Sequence, residues 1–172
     1  MRTKFKIWIK MTMIAALYAA LSLALAPYSF GPIQVRIAEA LTILPILGNW
    51  PIWSLTLGCA LTNLIGAALG LNLLGYWDVL WGTLATLIAA LLTYSLRKVT
   101  FKKIPVLSIL MPVLINGLII GYELTLAIGP NTLSMFAVYG LSVAAGEALS
   151  VLLIGYPLLV YLKKTKLFKT EA

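Results

Sequence analysis

Long apolar runs interrupted only by tight basic clusters constrain this chain more than any other feature. Twelve of its thirteen lysines and arginines fall in three groups: Arg2, Lys4, Lys6 and Lys10; Arg97, Lys98, Lys102 and Lys103; Lys163, Lys164, Lys166 and Lys169. Between Lys10 and Arg97 only Arg36, Glu39 and Asp78 carry charge, and between Lys103 and Lys163 only Glu123 and Glu147. Apolar runs of this length satisfy their backbone polar groups in lipid as membrane-crossing helices. Basic residues collect on the cytoplasmic side of such helices, so all three groups are expected on one side. The same placement argues against a nucleic-acid footprint for the net charge of +8.

The chain has 172 residues, 62% hydrophobic and 10% charged, with mean hydropathy +1.01. At roughly 20 residues per crossing that is room for about five to seven spans and no separate soluble domain. Six crossings return both termini and the middle basic group to one side, whereas five or seven put a basic group outside. The expectation is an all-α integral membrane protein forming a single transmembrane domain over residues 1–172, with both termini cytoplasmic. Its six transmembrane helices are expected at about 7–26, 32–48, 51–71, 79–96, 104–124 and 134–162. The first ends in "ALAP", which also suits a signal peptide. Its length and the spans that follow favour a retained helix, with Lys10 snorkelling to the inner surface. The second begins at Pro32 and is short. Pro105 and Pro112 predict a kink in the fifth, and the sixth is long enough to tilt or break at Gly155 and Pro157. The outer loops then carry or adjoin Tyr28, Phe30, Tyr76, Trp77 and Tyr122. Two readings stand for these rings: an interfacial belt, or stacking on a flat ligand.

A charge at the centre of a spanning helix costs about 2.5–3.5 kcal/mol on insertion scales, so each one needs a reason. Arg36 and Glu39, spaced i,i+3, share a helix face and can neutralise each other. Gln34 beside them adds a donor and an acceptor with no evident local partner. Asp78 is expected to cap the fourth helix. Glu123 either reaches water at its helix end or joins a site. Glu147 falls near the midplane with no basic residue within a turn, beside Ala144, Ala145 and Gly146, which allow close approach. Asn116 sits at comparable depth, and Asn63 reads as interhelical glue. Together these groups describe a polar pocket in the outer half of the bundle for a donor-rich or cationic solute.

No histidine is present, and the lone Cys59 offers neither a disulfide framework nor a metal cluster. No phosphate-binding loop of the G-x-x-x-x-G-K-[ST] kind and no HExxH occurs, so neither ATP hydrolysis by this chain nor an intramembrane enzyme is expected, and no cofactor or metal is implied. In the first helix Ala15 with Ala19, and Ala16 with Ala20, form small-xxx-small pairs. They pack either against the chain's own helices or against a second membrane protein.

The runs "SFGPIQVRIAEALTILP", "DVLWGTLATLIAALLTY", "INGLIIG" and "AAGEALSVLLIGYPL" resemble the QueT family, the substrate-binding S components of energy-coupling factor (ECF) transporters assigned to queuosine precursors. The resemblance covers nearly the whole chain. It implies a six-helix domain that captures its solute tightly from outside and has no motor of its own. It implies partnership with an ECF T component and two ATPase subunits in the cytoplasmic membrane of a prokaryote, with the alanine-rich first helix as docking surface and release by toppling in the bilayer. The implied cargo is a 7-deazapurine, nitrile or aminomethyl. Its N1–H and N2–H2 edge suits a carboxylate, and its O6 suits Gln34, Arg36 or an asparagine. Glu39 and Glu147 are the pair expected to divide the base edge and an ammonium, with Glu123 able to replace either and Trp77, Tyr28 or Phe30 closing the mouth. A different vitamin or nucleobase as cargo, or a non-transporting membrane adaptor, are the alternatives.

Overall fold

The computed structural model describes residues 2–31 and 34–165. Helix α1 (Arg2–Ala24) is followed by a single turn, α2 (Ala26–Ser29), and then by a 3-10 segment, Ile37–Leu47. Helices α3 (Trp50–Ala68), α4 (Trp77–Ser95) and α5 (Val106–Ile128) come next. Helix α6 (Leu133–Leu149) continues through a π-helical segment, Ser150–Gly155, into α7 (Tyr156–Lys164). Among the described residues five helices are long and apolar enough to cross a membrane: Phe5–Ala24, Trp50–Ala68, Trp77–Ser95, Val106–Ile128 and Leu133–Lys164.

The second element departs from expectation. It is not an α-helix over 32–48 but an 11-residue 3-10 segment beginning at Ile37; Pro32 and Ile33, where the predicted helix starts, lie outside the described residues. The winding lengthens the segment's reach. An α-helix of eleven residues reaches only about 16 Å, whereas a 3-10 helix reaches about 22 Å. The extended stretch Gln34–Arg36 adds about 10 Å, and the sum approaches the hydrocarbon thickness. Poorly aligned backbone bonds of this kind survive at membrane depth only when enclosed by protein, and every residue from Ala38 to Ile46 is buried. Ala38, Leu41 and Leu44 share a core with Tyr18, Leu55, Cys59 and Ala90. Ile43 and Ile46 share another with Ile109, Val151 and Leu159. The segment is therefore the axial strut of the bundle, touched by α1, α3, α4, α5, α7 and the π segment.

Glycines set how closely the helices approach it. A methyl on Gly155 would stand 2.7 Å from the Ala40 carbonyl oxygen, and one on Gly146 would overlap the Gln34 carbonyl oxygen. The two prolines flagged by the sequence are absorbed differently. Pro157 follows the π segment, whose wider winding accommodates its missing N–H. Pro112 lies inside an uninterrupted α5. It cannot bond the Ser108 carbonyl four residues back, and Thr93 Oγ1 on α4 donates to that oxygen instead, at 3.2 Å. In the middle basic group, the turn Phe101–Ile104 places Lys102 and Lys103 at positive φ, closed by paired Phe101 and Ile104 backbone bonds of 2.9 Å. Lys10 stands 5.8 Å from the Trp50 ring. Lys166 and Lys169 fall outside the described residues.

Candidate functional site

Where Gln34–Arg36 enters the bundle, the extended stretch hands its side chains inward. The first turn of the 3-10 segment then places Glu39 three residues on, beside Arg36. From α4 come Asp78, Gly82 and Thr86, one per turn on a single face; from α5, Asn116 and Ile120; from α6, Glu147. These nine residues line one enclosed hollow. Gln34, Arg36, Glu39, Asp78, Asn116 and Glu147 are all buried.

The cluster is organised by donors that each hold one side of a carboxylate. Tyr18 of α1 donates its hydroxyl to Glu39 Oε1, and Asn116 Nδ2 donates to Glu147 Oε1 at 2.9 Å. Glu39 Oε2 and Glu147 Oε2 have no hydrogen-bond partner among the described residues. The Gln34 amide likewise carries no hydrogen bond among them. Arg36 is loosely held from several directions. Its Nη2 stands 3.6 Å from Asp78 Oδ2 and its Nη1 3.9 Å from Glu39 Oε1. Nη2 also donates to the Ser29 carbonyl at 3.4 Å, and the guanidinium lies 5.2 Å over the Phe30 ring. None of the ion contacts reaches the ~2.8 Å of a tight charge-assisted bond. Three carboxyls and one guanidinium thus surround a space with acceptor capacity in excess. The hollow's free volume is about 10 Å³ within about 230 Å³ of atom-free space, which is room for about one water.

Asp78 corrects an expectation. It does not cap α4, whose first turn has no side-chain cap; its Oδ2 accepts from Asn72 Nδ2 at 2.8 Å and faces Arg36. The local reason is Gly82, bare where a methyl would collide with Asp78 Oδ1 and lie 2.5 Å from Asn63 Nδ2. Asn63 is glue, as expected: its Nδ2 donates to the Asp78 carbonyl at 2.8 Å, tying α3 to α4.

Of the residues singled out in the sequence, the structure gathers Gln34, Arg36, Glu39, Asn116 and Glu147 around the hollow. Glu123 and Trp77 are not among its lining. They flank a separate pocket of about 300 Å³ with Trp81, Leu126 and Ala127. Phe30 is buried beneath Arg36 and against Gly66, whereas Tyr28 is exposed. Sequence reasoning missed Tyr18, whose only signal was a phenol in the middle of an apolar run, and Thr86, a hydroxyl two turns along α4 from Asp78. Among the described residues no group of histidine, cysteine and carboxylates is placed to hold a metal ion.

The alanines of α1 divide between two faces. Ala15 is buried, its carbonyl 3.0 Å from where a Gly58 methyl would stand, and Ala19 is half-buried. Ala16 and Ala20 are exposed.

A model of the QueT transporter family matches residues 8–164, nearly the whole chain. No curated protein and no solved structure gives a significant match.

Proposed function

The chain belongs to the QueT transporter family, a multi-pass membrane protein of a transport system, and from that premise we propose that it is the solute-capturing S component of an ECF transporter for a queuosine precursor. One observation carries the reading. Glu39 and Glu147 face the same hollow, each with one oxygen held by a neighbouring donor and the other unpartnered. A buried acceptor left unpaired costs about 1–3 kcal/mol, so this pair is built for donors that arrive with a ligand.

A 7-deazaguanine presents such donors. Its N1–H and N2–H2 edge meets one carboxylate, its O6 meets the Gln34 amide or Arg36, and an aminomethyl arm meets the second carboxylate. Tyr18 and Asn116 fix the carboxylates in advance, which lowers the cost of ordering them on binding. A hollow with space for about one water is the closed form of this site. Ligand pockets run to about 300 Å³ or more, so the base enters when the Gln34–Arg36 stretch and α6 part.

Capture without a motor calls for partners: a T component and two ATPases that hydrolyse ATP, in the cytoplasmic membrane of a prokaryote. The 3-10 segment then serves as the sixth crossing and places all three basic groups on the cytoplasmic side. Ala16 and Ala20 are the outward small residues of α1 on which the T component docks.

The test is equilibrium binding of the nitrile and aminomethyl 7-deazaguanines to purified protein in lipid nanodiscs. Glu39→Gln and Glu147→Gln are each expected to weaken binding at least tenfold, about 1.4 kcal/mol. Unchanged affinity in both removes them from the site. Failure of the parent protein to bind any 7-deazapurine, while it still assembles with partner subunits, favours an adaptor role or a different cargo.

A further inference from the structure

The pocket beside the hollow has its own chemistry. Trp77 and Trp81, one turn apart on α4, stand across from Glu123, Leu126 and Ala127 on α5, around about 300 Å³. Glu123 is only 4% exposed, yet neither of its carboxylate oxygens has a hydrogen-bond partner among the described residues. Trp77 is 71% exposed and so frames the open side. No lysine or arginine lines the pocket; Arg36 lies in the adjoining hollow against Asp78, and Arg97 to Lys103 lie at the opposite ends of the two helices. A desolvated carboxylate attracts a cation, indole faces attract one through their quadrupole, and the aliphatic wall rejects a small, fully hydrated ion.

We propose that Trp77, Trp81 and Glu123 form a second binding site, selective for a small organic ammonium joined to a flat or apolar body. Glu123 receives the ammonium, and the two indoles sandwich or edge the body. The site stands beside the deeper hollow because the two share their walls. On α4, Trp77 and Trp81 face the pocket while the adjacent Asp78 and Gly82 face the hollow; on α5, Asn116 and Ile120 line the hollow, and Glu123 and Ala127 continue the same stripe outward. For a cationic cargo the pocket is a first station on the way in, a role that rests on the proposed function, whereas the ammonium site rests on its own residues alone.

The test uses full-length protein in nanodiscs carrying 5-fluorotryptophan, whose five positions give separate fluorine signals, assigned by single Trp→Phe replacements. Benzylammonium is the probe and benzyl alcohol its neutral counterpart. Benzylammonium is expected to shift the Trp77 and Trp81 signals saturably, benzyl alcohol to leave them in place, and Glu123→Gln to weaken the response at least tenfold. Glu39→Gln and Glu147→Gln leave it unchanged. Trp77→Phe, at an exposed position, keeps the fold and weakens the probe several-fold. Equal responses to both probes, a shift shared by the exposed Trp8 and Trp53 as partition into lipid would give, or an unchanged response in Glu123→Gln each overturns the site. If benzylammonium binds as described while no 7-deazapurine does, the 7-deazapurine reading fails and this site stands. If 7-deazapurines bind and benzylammonium does not, only this site falls.

Discussion

Replacing Gly146 with alanine probes how the site is held together. The added methyl would overlap the Gln34 carbonyl oxygen, and would stand 2.8 Å from the Gln34 carbonyl carbon and 3.3 Å from Val35 Cα. Carbon–carbon contact is comfortable from about 3.5 Å and the overlapped oxygen needs more room still, so the extended Gln34–Arg36 stretch must retreat by about 1 Å or more. Gln34 and Arg36 ride on that stretch, and the retreat draws both away from Glu39 and Glu147. Misplacing positioned groups by about 1 Å costs up to about 100-fold, so affinity for a 7-deazaguanine should fall about 10- to 100-fold, or about 1.4–2.7 kcal/mol. Overpacking alone costs about 1–3 kcal/mol of stability, which makes a control necessary. Gly140→Ala places its methyl 2.9 Å from the Gly117 carbonyl oxygen, a milder insult of the same kind on the α5–α6 seam at a position that does not line the hollow. Equilibrium binding and thermal unfolding are measured on both variants in nanodiscs. If Gly146→Ala binds like the parent protein, or if Gly140→Ala loses as much affinity for the same loss of Tm, the idea that backbone contact with α6 positions the site is wrong.

Tyr18→Phe removes the donor to Glu39 Oε1. It should lower stability by about 1.5–3 kcal/mol, the range for a hydrogen bond to a charged group, and weaken ligand binding; an unaltered Tm and affinity would mean that the phenol is only filler. Ala20→Trp, on the exposed face of α1, should spare ligand capture but block co-purification with the T component, whereas Ala15→Trp, facing Gly58, should prevent folding; normal assembly of Ala20→Trp counts against docking there. Thr93→Val orphans the Ser108 carbonyl that Pro112 leaves free, at a cost of about 1–3 kcal/mol. Combined with Pro112→Ala, which restores the backbone donor, the same change should cost much less, as read from denaturant unfolding.

Of the six crossings read from the uncharged stretches and basic groups, five coincide with helices long and apolar enough to span a membrane. The convergence of Gln34, Arg36, Glu39, Asn116 and Glu147 was legible too, because charge inside lipid has few places to go. The 3-10 winding was not legible: "IAEALTILPIL" has the apolar content of an ordinary helix, and its enclosure by neighbours on every side is tertiary information that no local pattern carries. Asp78 was misread for a related reason. A carboxylate at a helix start suits a cap, and nothing local says that Arg36, forty-two residues earlier, lies 3.6 Å away. Tyr18 drew no attention inside its apolar run, because nothing local says that its hydroxyl meets Glu39, twenty-one residues on. Glu123 on α5 and Trp77 on α4 line the adjoining pocket and not the hollow, a division between neighbouring helix faces that spacing alone could not fix.

The axial strut also bears on how this chain is made. An insertion machine that releases one helix at a time into lipid cannot release Ile37–Leu47 by itself, since its bent backbone bonds would meet hydrocarbon before any neighbour had arrived. The segment must wait beside α1, at the channel or within its vestibule, until α3 to α7 have been synthesised around it. Nascent chains cut anywhere before Gly155, the last glycine against its backbone, should thus remain sensitive to proteases, and quality control would read such fragments as unfinished.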